Sequence, residues 1–178
     1  MYQGVIKFWF TEIDASLWWQ KDKAFDSEIL QRFGALHKQA RAGELYEWRD
    51  TAAGSLAEVI ILDQFSRNIY RDRPEAFASD PQALTLAQFA IARRFDAELP
   101  PTQRSFLYLP FMHSESAVIH GQAVRLYESL GNETYLDFEL RHKAIIDRFG
   151  RYPHRNAILG RKSTAEEAEF LTQPNSGF

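Results

Sequence analysis

Ten polar side chains with the chemistry to bind a ligand or transfer a proton lie in three short stretches of this sequence. The first stretch contains an acid, two amides and an arginine, the second a histidine and an acid, and the third two arginines, a histidine and an amide. These residues are Asp63, Gln64, Arg67, Asn68, His113, Glu115, Arg151, His154, Arg155 and Asn156. Buried or half-buried groups of this kind need specific partners, so we expect the three stretches to converge.

Two interpretations of this cluster remain open. In the first, the cluster is structural: Asp63 and Glu115 pair with Arg155 and Arg151, and the histidines donate to backbone carbonyl groups. In the second, the arginines and Asn156 form a fork for a small anionic ligand, because guanidinium groups match carboxylate and phosphate oxygens in two-point contacts.

Catalysis and metal binding have weaker support in the sequence. His113 or His154 beside Glu115 has the chemistry of a general base, but no residue pattern identifies a nucleophile, so enzymatic activity is left open. A metal site built from these three residues and Asp63 lacks any recognised ligand spacing. No phosphate-binding loop or dinucleotide fingerprint is present, and we predict no metal and no cofactor.

The third stretch lies in a basic strip. Residues 141–162 carry seven arginines and lysines and one acid, a net charge of +6, while the whole chain carries −3. The rest of the chain therefore sums to −9, which favours an anionic ligand or an intramolecular clasp between acidic and basic helices. The overall negative charge makes nucleic acid an improbable partner.

Helical periodicity runs through most of the chain and predicts the elements that hold these residues. Apolar spacing predicts a helix from Asp26 with Leu30 on its core face, one past Ser116 with Val118 on its core face, and the longest helix over 134–149 with Leu140 inward. The patterns Ser55-x-x-Glu58 and Thr164-x-x-Glu167 are typical of capping boxes, and Asp80 before Pro81 of a helix start. Two pairs at i,i+4 spacing, Asp63 with Arg67 and Gln64 with Asn68, share one face of the second helix.

No segment alternates as a strand does. The sequence therefore predicts an all-α fold of about six or seven helices in one domain over 1–178, with antiparallel pairs in a tetratricopeptide-like stack or an irregular bundle. Its parts are an aromatic lead-in over 1–25, a basic loop over 150–163 and a C-terminal helix over 164–173. The lead-in is predicted to be a hydrophobic lid over the core rather than an aromatic ligand cage.

The N-terminus has no basic leader and no long apolar run, and cysteine is absent. We therefore expect a cytoplasmic protein without membrane association. Helical stacks often present a concave face to other chains, so a protein or peptide partner is the alternative to a small ligand.

Three segments, 62–71, 106–115 and 149–161, resemble signature stretches of the bacterial domain-of-unknown-function family 924. Asp80-Pro81 and Gly43-Glu44-Leu45 fit the same family. The resemblance implies an all-helical fold similar to tetratricopeptide stacks and implies no activity. Arg94 departs from the family, in which a glycine is expected before Phe95-Asp96, and this departure concerns a local turn.

Overall fold

Helix α2, Lys23–Arg41, shows how this sequence specifies an all-helical fold. The Asp22 carboxylate caps it by accepting hydrogen bonds from two backbone N–H groups of the first turn, which satisfies donors that have no partner within the helix. Ile29, Phe33 and Ala40 then recur at helical spacing and are buried. The helix thus begins at a cap and is held by one apolar face.

The computed structural model describes residues 1–174 and 176–177. The α-helices are α1 (Tyr2–Lys7), α2 (Lys23–Arg41), α3 (Ala52–Ile60), α4 (Ser66–Ile69), α5 (Asp80–Ala92), α6 (Pro101–Met112), α7 (Ala117–Leu130), α8 (Glu133–Phe149) and α9 (Ala165–Phe170). Single π-helical turns span Phe8–Glu12 and Ile61–Phe65, and 3-10 turns span Ala15–Trp18, Tyr46–Asp50, Pro74–Ala76, Phe95–Glu98 and Pro153–Arg155. No strand occurs among the described residues, and the predicted all-α class is confirmed.

The chain comprises two compact units, and the single domain over 1–178 stays a prediction. Unit 1 comprises Met1–Arg71 and Glu75–Pro110, and unit 2 comprises Asp72–Pro74 and Phe111–Phe178. Within unit 1, helices α1 and α5 pack on α3, and α2 packs on α4. Within unit 2, α7 packs on α8 as an antiparallel hairpin closed by a short connection at Gly131.

The aromatic lead-in forms part of the unit 1 core. Phe8 and Trp9 are fully buried, and the Phe8 ring lies 4.9 Å from Phe33 and the Trp9 ring 5.5 Å from Phe65. Burial of such rings contributes about 2 to 3 kcal/mol each. Phe8 and Trp9 therefore lie inside the core, whereas the predicted lid would lie over it.

Helix α3 begins earlier than predicted. The Ser55-x-x-Glu58 pattern is not its cap, because the helix starts at Ala52 and Thr51 accepts from the Gly54 N–H at 3.1 Å. Ser55 and Glu58 are buried one turn inside the helix, where local sequence alone does not distinguish a capping box from a core position.

Helix α5 begins at Asp80 itself. Ser79 is the N-cap, and Asp80 does not act as the cap because Arg67 binds both of its carboxylate oxygens, at 3.0 and 3.1 Å. An ion pair with two charge-assisted hydrogen bonds is stronger than a single cap bond. Among the described residues, no helix is long and apolar enough to cross a membrane.

Some predicted core positions are exposed. Leu30, Val118 and Leu140 expose 54%, 75% and 47% of their surface and so do not belong to the core. The predicted longest helix, α8, has 17 residues and α2 has 19. Pro110 lies inside α6, which continues to Met112.

Candidate functional site

The first polar stretch lies in unit 1, on the π-helical turn Ile61–Phe65 and on α4. Asp63 and Gln64 expose only 1% and 7% of their surface. The predicted i,i+4 pair of Asp63 and Arg67 is present, with 3.1 Å between Oδ1 and Nη1. Arg67 also binds Asp80 through both Nη atoms, so this guanidinium group joins the end of the second helical segment to the start of α5.

The predicted pairing of Gln64 with Asn68 is replaced by contacts with acids. Gln64 Nε2 donates to Asp63 Oδ2 at 2.6 Å. Asn68 Nδ2 donates to Asp26 Oδ1 at 2.8 Å, and Arg71 binds the same carboxylate. Charge-assisted hydrogen bonds are about twice as strong as those between neutral amides, which explains the exchange of partners.

The basic loop and the segment after α6 meet within unit 2. Glu115 Oε2 accepts from Arg161 Nη1 at 2.7 Å, and its Oε1 accepts from Arg161 Nη2 at 2.9 Å and from the Tyr152 N–H at 2.7 Å. Burial raises the pKa of Glu115, but the hydrogen bonds from Arg161 and Tyr152 outweigh it, and the net direction is downward. Glu115 is therefore an anion that anchors the loop.

Arg151 pairs with Glu167 at the start of α9. Its Nε and Nη2 donate to the two oxygens of that carboxylate at 2.6 and 2.7 Å. The hydrogen bond from Arg151 lowers the pKa of Glu167 to about 2. Glu167 also completes the predicted capping box with Thr164, in bonds of 2.8 and 3.1 Å. The predicted pairing of Glu115 with Arg151 is thus replaced by two pairs, Glu115 with Arg161 and Glu167 with Arg151.

Asn156 links these two ion pairs. Its Nδ2 donates to Ser163 and Glu167, at 3.1 and 3.3 Å, and its Oδ1 accepts from Arg161 Nε at 2.9 Å. Arg155 is 6% exposed, and its guanidinium carbon lies 4.6 Å from the centre of the Tyr152 ring. Sequence reasoning missed Arg161 and Glu167 as members of this network, although the charge of the strip and the capping box were both visible.

The charge asymmetry is explained by ion pairs inside unit 2. Five bases of the strip contact acids: Arg141 with Asp137, Lys143 with Asp147, Arg148 with Glu166, Arg151 with Glu167 and Arg161 with Glu115. The last three pairs join the strip to acids elsewhere in unit 2, whereas the first two are i,i+4 pairs on α8. The clasp between helices and the exclusion of nucleic acid stay predictions.

Tyr152 is the centre of a histidine group that the sequence did not reveal. Its ring is fully buried and lies 6.3, 5.8 and 5.5 Å from the rings of His120, His142 and His154. These residues come from α7, α8 and the loop, positions too far apart in sequence for any spacing rule to connect. His113 stands close enough to influence the charge of His142. The predicted bonds of His113 and His154 to backbone carbonyls stay a prediction.

The stretch containing Asp63 belongs to unit 1, and the other two stretches belong to unit 2. Convergence of all three, and the pairing of Asp63 with Arg155, therefore stay predictions. Among the described residues, no group of three or more His, Asp and Glu side chains is placed to hold a metal ion.

A second candidate site is the exposed edge of the aromatic lead-in in unit 1, which we call the indole platform and define as Phe10, Trp18 and Trp19 on Phe106. Trp19 exposes 61% of its surface. Its ring stacks on the buried Phe106 at 5.8 Å with an interplanar angle of 17°. Trp18 stands nearly perpendicular to both, 6.3 Å from Trp19 and 4.9 Å from Phe106, and its Nε1 donates to the Trp9 carbonyl at 2.9 Å.

The chain is similar to known proteins both in sequence and in structure. Residues 5–175 match the model of a family described as bacterial protein of unknown function (DUF924). The chain is also similar to a solved structure of a protein of unknown function, ATU0120, from Agrobacterium tumefaciens. That structure has 38% identity and a TM-score of 0.91 over 96% of each chain. No curated protein matches the chain. The resemblance predicted from the sequence is thereby confirmed.

Proposed function

This chain belongs to the DUF924 family of bacterial proteins, and we propose that it is a binding protein that recognises a segment of a partner protein through the indole platform. The observation that carries the proposal is Trp19, which exposes 61% of its surface while one face of its ring rests on Phe106. Tryptophan is among the residues most enriched at the energetic centres of protein interfaces.

The residues that support the Trp19 ring are themselves held in place, and this favours recognition. Trp18 donates a hydrogen bond to the Trp9 carbonyl, and Phe106 is 1% exposed within the core of unit 1. A partner that covers Trp19 would therefore pack against a supported ring, which lowers the entropy that binding costs. An extended segment that presents a proline or another apolar side chain has the shape for such a flat surface.

A small anion is the competing ligand, and the ion pairs weigh against it. Arg151, Arg161 and Arg67 each bind a carboxylate in two-point contacts. To admit a phosphate, any of them must first release a charge-assisted pair in a half-buried setting, where breaking such a pair is costly. The loop therefore fits a structural role better than a receptor role.

The test is a peptide-display selection on the wild-type full chain, followed by calorimetric measurement of Kd for the wild type and for Trp19→Ala. We expect selected peptides to lose about 30-fold in affinity for Trp19→Ala, the scale of an interface hot spot. Tyr46→Ala is the matched control, because Tyr46 is an aromatic residue exposed to 63% on a different 3-10 turn. The selected peptides should bind Tyr46→Ala as tightly as they bind the wild type.

Two outcomes oppose the proposal. Peptides that bind Trp19→Ala as tightly as the wild type locate the binding surface elsewhere, and a selection that yields no binder removes the support for partner recognition. The anion alternative is checked with inorganic phosphate and citrate at matched ionic strength. A rise in Tm that is lost in Arg155→Ala, in a variant that still folds, favours the small-ligand function instead.

A further inference from the structure

The histidine group around Tyr152 in unit 2 contains a fully buried pair of titratable residues. His120 and Glu139 both have no exposed surface, and His120 Nδ1 lies 2.7 Å from Glu139 Oε1. His120 comes from α7 and Glu139 from α8, so the pair joins the two helices of the hairpin. Buried ionisable groups of this kind are costly unless their protons and charges are matched.

Hydrogen-bond donors fix the position of one proton. His120 Nε2 lies 2.9 Å from the Ser114 carbonyl, which only accepts, so Nε2 carries a hydrogen,. The Tyr152 hydroxyl donates to the Met112 carbonyl at 2.5 Å, and its oxygen can only accept from His120 Nε2, 3.2 Å away. It follows that Nδ1 of His120 and the carboxyl of Glu139 share a single further proton.

Burial favours the neutral form of this pair. Among the described residues, Glu139 Oε2 has no hydrogen-bond partner, so a full carboxylate there would be poorly solvated. Desolvation raises the pKa of Glu139 despite the opposing hydrogen bond from His120. Burial at the centre of unit 2 therefore disfavours a charge on the Glu139 carboxyl group.

His142 is the second buried imidazole of the group. Its Nδ1 donates to the Phe138 carbonyl at 2.7 Å, and its ring faces Tyr152 at 5.8 Å. Burial lowers the pKa of His142 to about 3, with smaller contributions from the charges of His113, His120 and His154. His142 is therefore neutral in the folded protein at pH 7.

We propose that His142 and Tyr152 form an acid-sensitive latch, which holds the loop 150–163 on α7 and α8 while His142 is neutral and releases it when His142 becomes protonated. The loop depends on this group through Tyr152, which is fully buried between the helices. Opening the loop exposes the imidazoles to water, so a proton bound by His142 stabilises the open form.

The charged and titratable groups around His142 come from several elements. They are His120 from α7, Glu139 and Lys143 from α8, His113 from the segment after α6, and Tyr152, His154 and Arg155 from the loop. The acid among them, Glu139, is engaged by His120. Protonation of His142 thus places a charge in a buried site, where desolvation disfavours it.

The test is amide hydrogen exchange of the full chain at pH 7.5 and pH 5.0, corrected for intrinsic exchange rates. With a pKa of 6.5 in the open form and about 3 in the closed form, the open population of the loop should rise about 30-fold at pH 5.0. In His142→Asn, which keeps a donor near Nδ1 but does not titrate, protection of 150–163 should change little between the two pH values. His37→Gln in unit 1 is the control and should leave the acid response of the loop unchanged.

Two results overturn the proposal. One is protection of 150–163 that is equal at both pH values in the wild type, and the other is an acid-induced loss that persists fully in His142→Asn. If that variant fails to fold, nitrogen NMR of the wild-type histidines decides the matter. The proposal expects the neutral Nδ1–H form of His142 at pH 7.5 and its conversion to imidazolium together with loop opening; an imidazolium already present at pH 7.5 contradicts it.

Discussion

His37 should make unit 1 less stable in acid, because its buried neutral ring has no partner or solvent to stabilise a second proton. It exposes 1% of its surface on α2, and its Nε2 lies 2.8 Å from Ser66 Oγ. Ser66 Oγ donates its own hydrogen to the Leu62 carbonyl at 2.6 Å, so Nε2 of His37 is the donor in their contact. Among the described residues, Nδ1 of His37 has no partner, and a proton placed there would be neither hydrogen-bonded nor solvated.

The lowered pKa of His37 determines the direction and the size of the loss of stability in acid. Burial, and to a smaller extent the charge of Arg41, lower the pKa of His37 from 6.5 to about 4. The unfolded chain therefore binds more protons between these two values, and stability is complete above pH 6.5 and falls as the pH decreases toward 4. The loss due to His37 should reach about 2 kcal/mol at pH 5 and about 3 kcal/mol at pH 4.

The assay is urea unfolding of the wild type and of His37→Gln at pH 7.5, 6 and 5. Glutamine keeps an N–H donor near the Nε2 position and does not titrate, so the free energies of unfolding of the two proteins should converge by about 2 kcal/mol as the pH falls to 5. Lys38→Gln is the control; it alters the exposed neighbour on the same helix and should follow the wild-type pH curve. Parallel curves for the wild type and His37→Gln would refute the reasoning.

Two backbone positions give further predictions. Gly54→Ala should lower the free energy of unfolding by about 3 kcal/mol or more, because a Cβ there would lie 2.1 Å from the Trp48 carbonyl oxygen,. Gly121→Ala on α7 meets nothing within 4 Å and should raise the free energy of unfolding by about 0.5 to 1 kcal/mol,. Thermal unfolding measures both, and a Gly54→Ala variant as stable as the wild type contradicts the close approach. Arg94→Gly should stabilise by about 1 kcal/mol because Arg94 has a φ of 62°,. Arg93→Gly, at a right-handed position over the Phe95 ring, should destabilise, and an equal response of the two arginines in urea unfolding would remove the backbone explanation.

Arg94 also shows where sequence comparison and geometry agree. The resemblance to the family led us to expect a glycine there, and the structure gives that position the left-handed conformation that glycine adopts most easily,. Arg94 thus adopts a backbone conformation that costs an arginine more than a glycine. The glycine expected from the family resemblance stays a prediction.

The fold class was predictable because periodicity and caps are local properties. Thr164 and Glu167 form the capping box that their spacing indicates, whereas the equally good pattern at Ser55 and Glu58 fails because Thr51 already caps the helix one turn earlier. A four-residue pattern indicates that a helix cap is feasible, but it does not indicate which of two neighbouring residues is the cap. Tertiary context makes that choice, in this case through Arg49, which binds both oxygens of the buried Glu58 at 2.7 Å.

The partners of the candidate site were less predictable than its members. Glu115 was expected to take an arginine, and it does, but the choice between Arg151 and Arg161 depends on how the loop folds back after Pro153. Likewise, His120 and Glu139 are 19 residues apart on two helices, and no spacing rule links them. The residue types indicate that a polar network exists, but the path of the folded chain determines which residues pair.

The assignment of those pairs decides where a partner can bind at least cost. A ligand that approaches Arg161 must replace two hydrogen bonds to Glu115, one to Asn156 and one to the Tyr152 carbonyl. It also leaves a half-buried carboxylate without its counter-charge, which costs several kcal/mol. A partner that covers Trp19 displaces only water from an indole already held in place by Phe106. Two arginines of the basic loop already bind carboxylates of the same chain, whereas covering Trp19 gains free energy in proportion to the apolar area that is buried. For this reason the basic loop, which carries the densest chemistry in the sequence, is better understood as a fastening of unit 2, and the indole platform as the surface available for recognition.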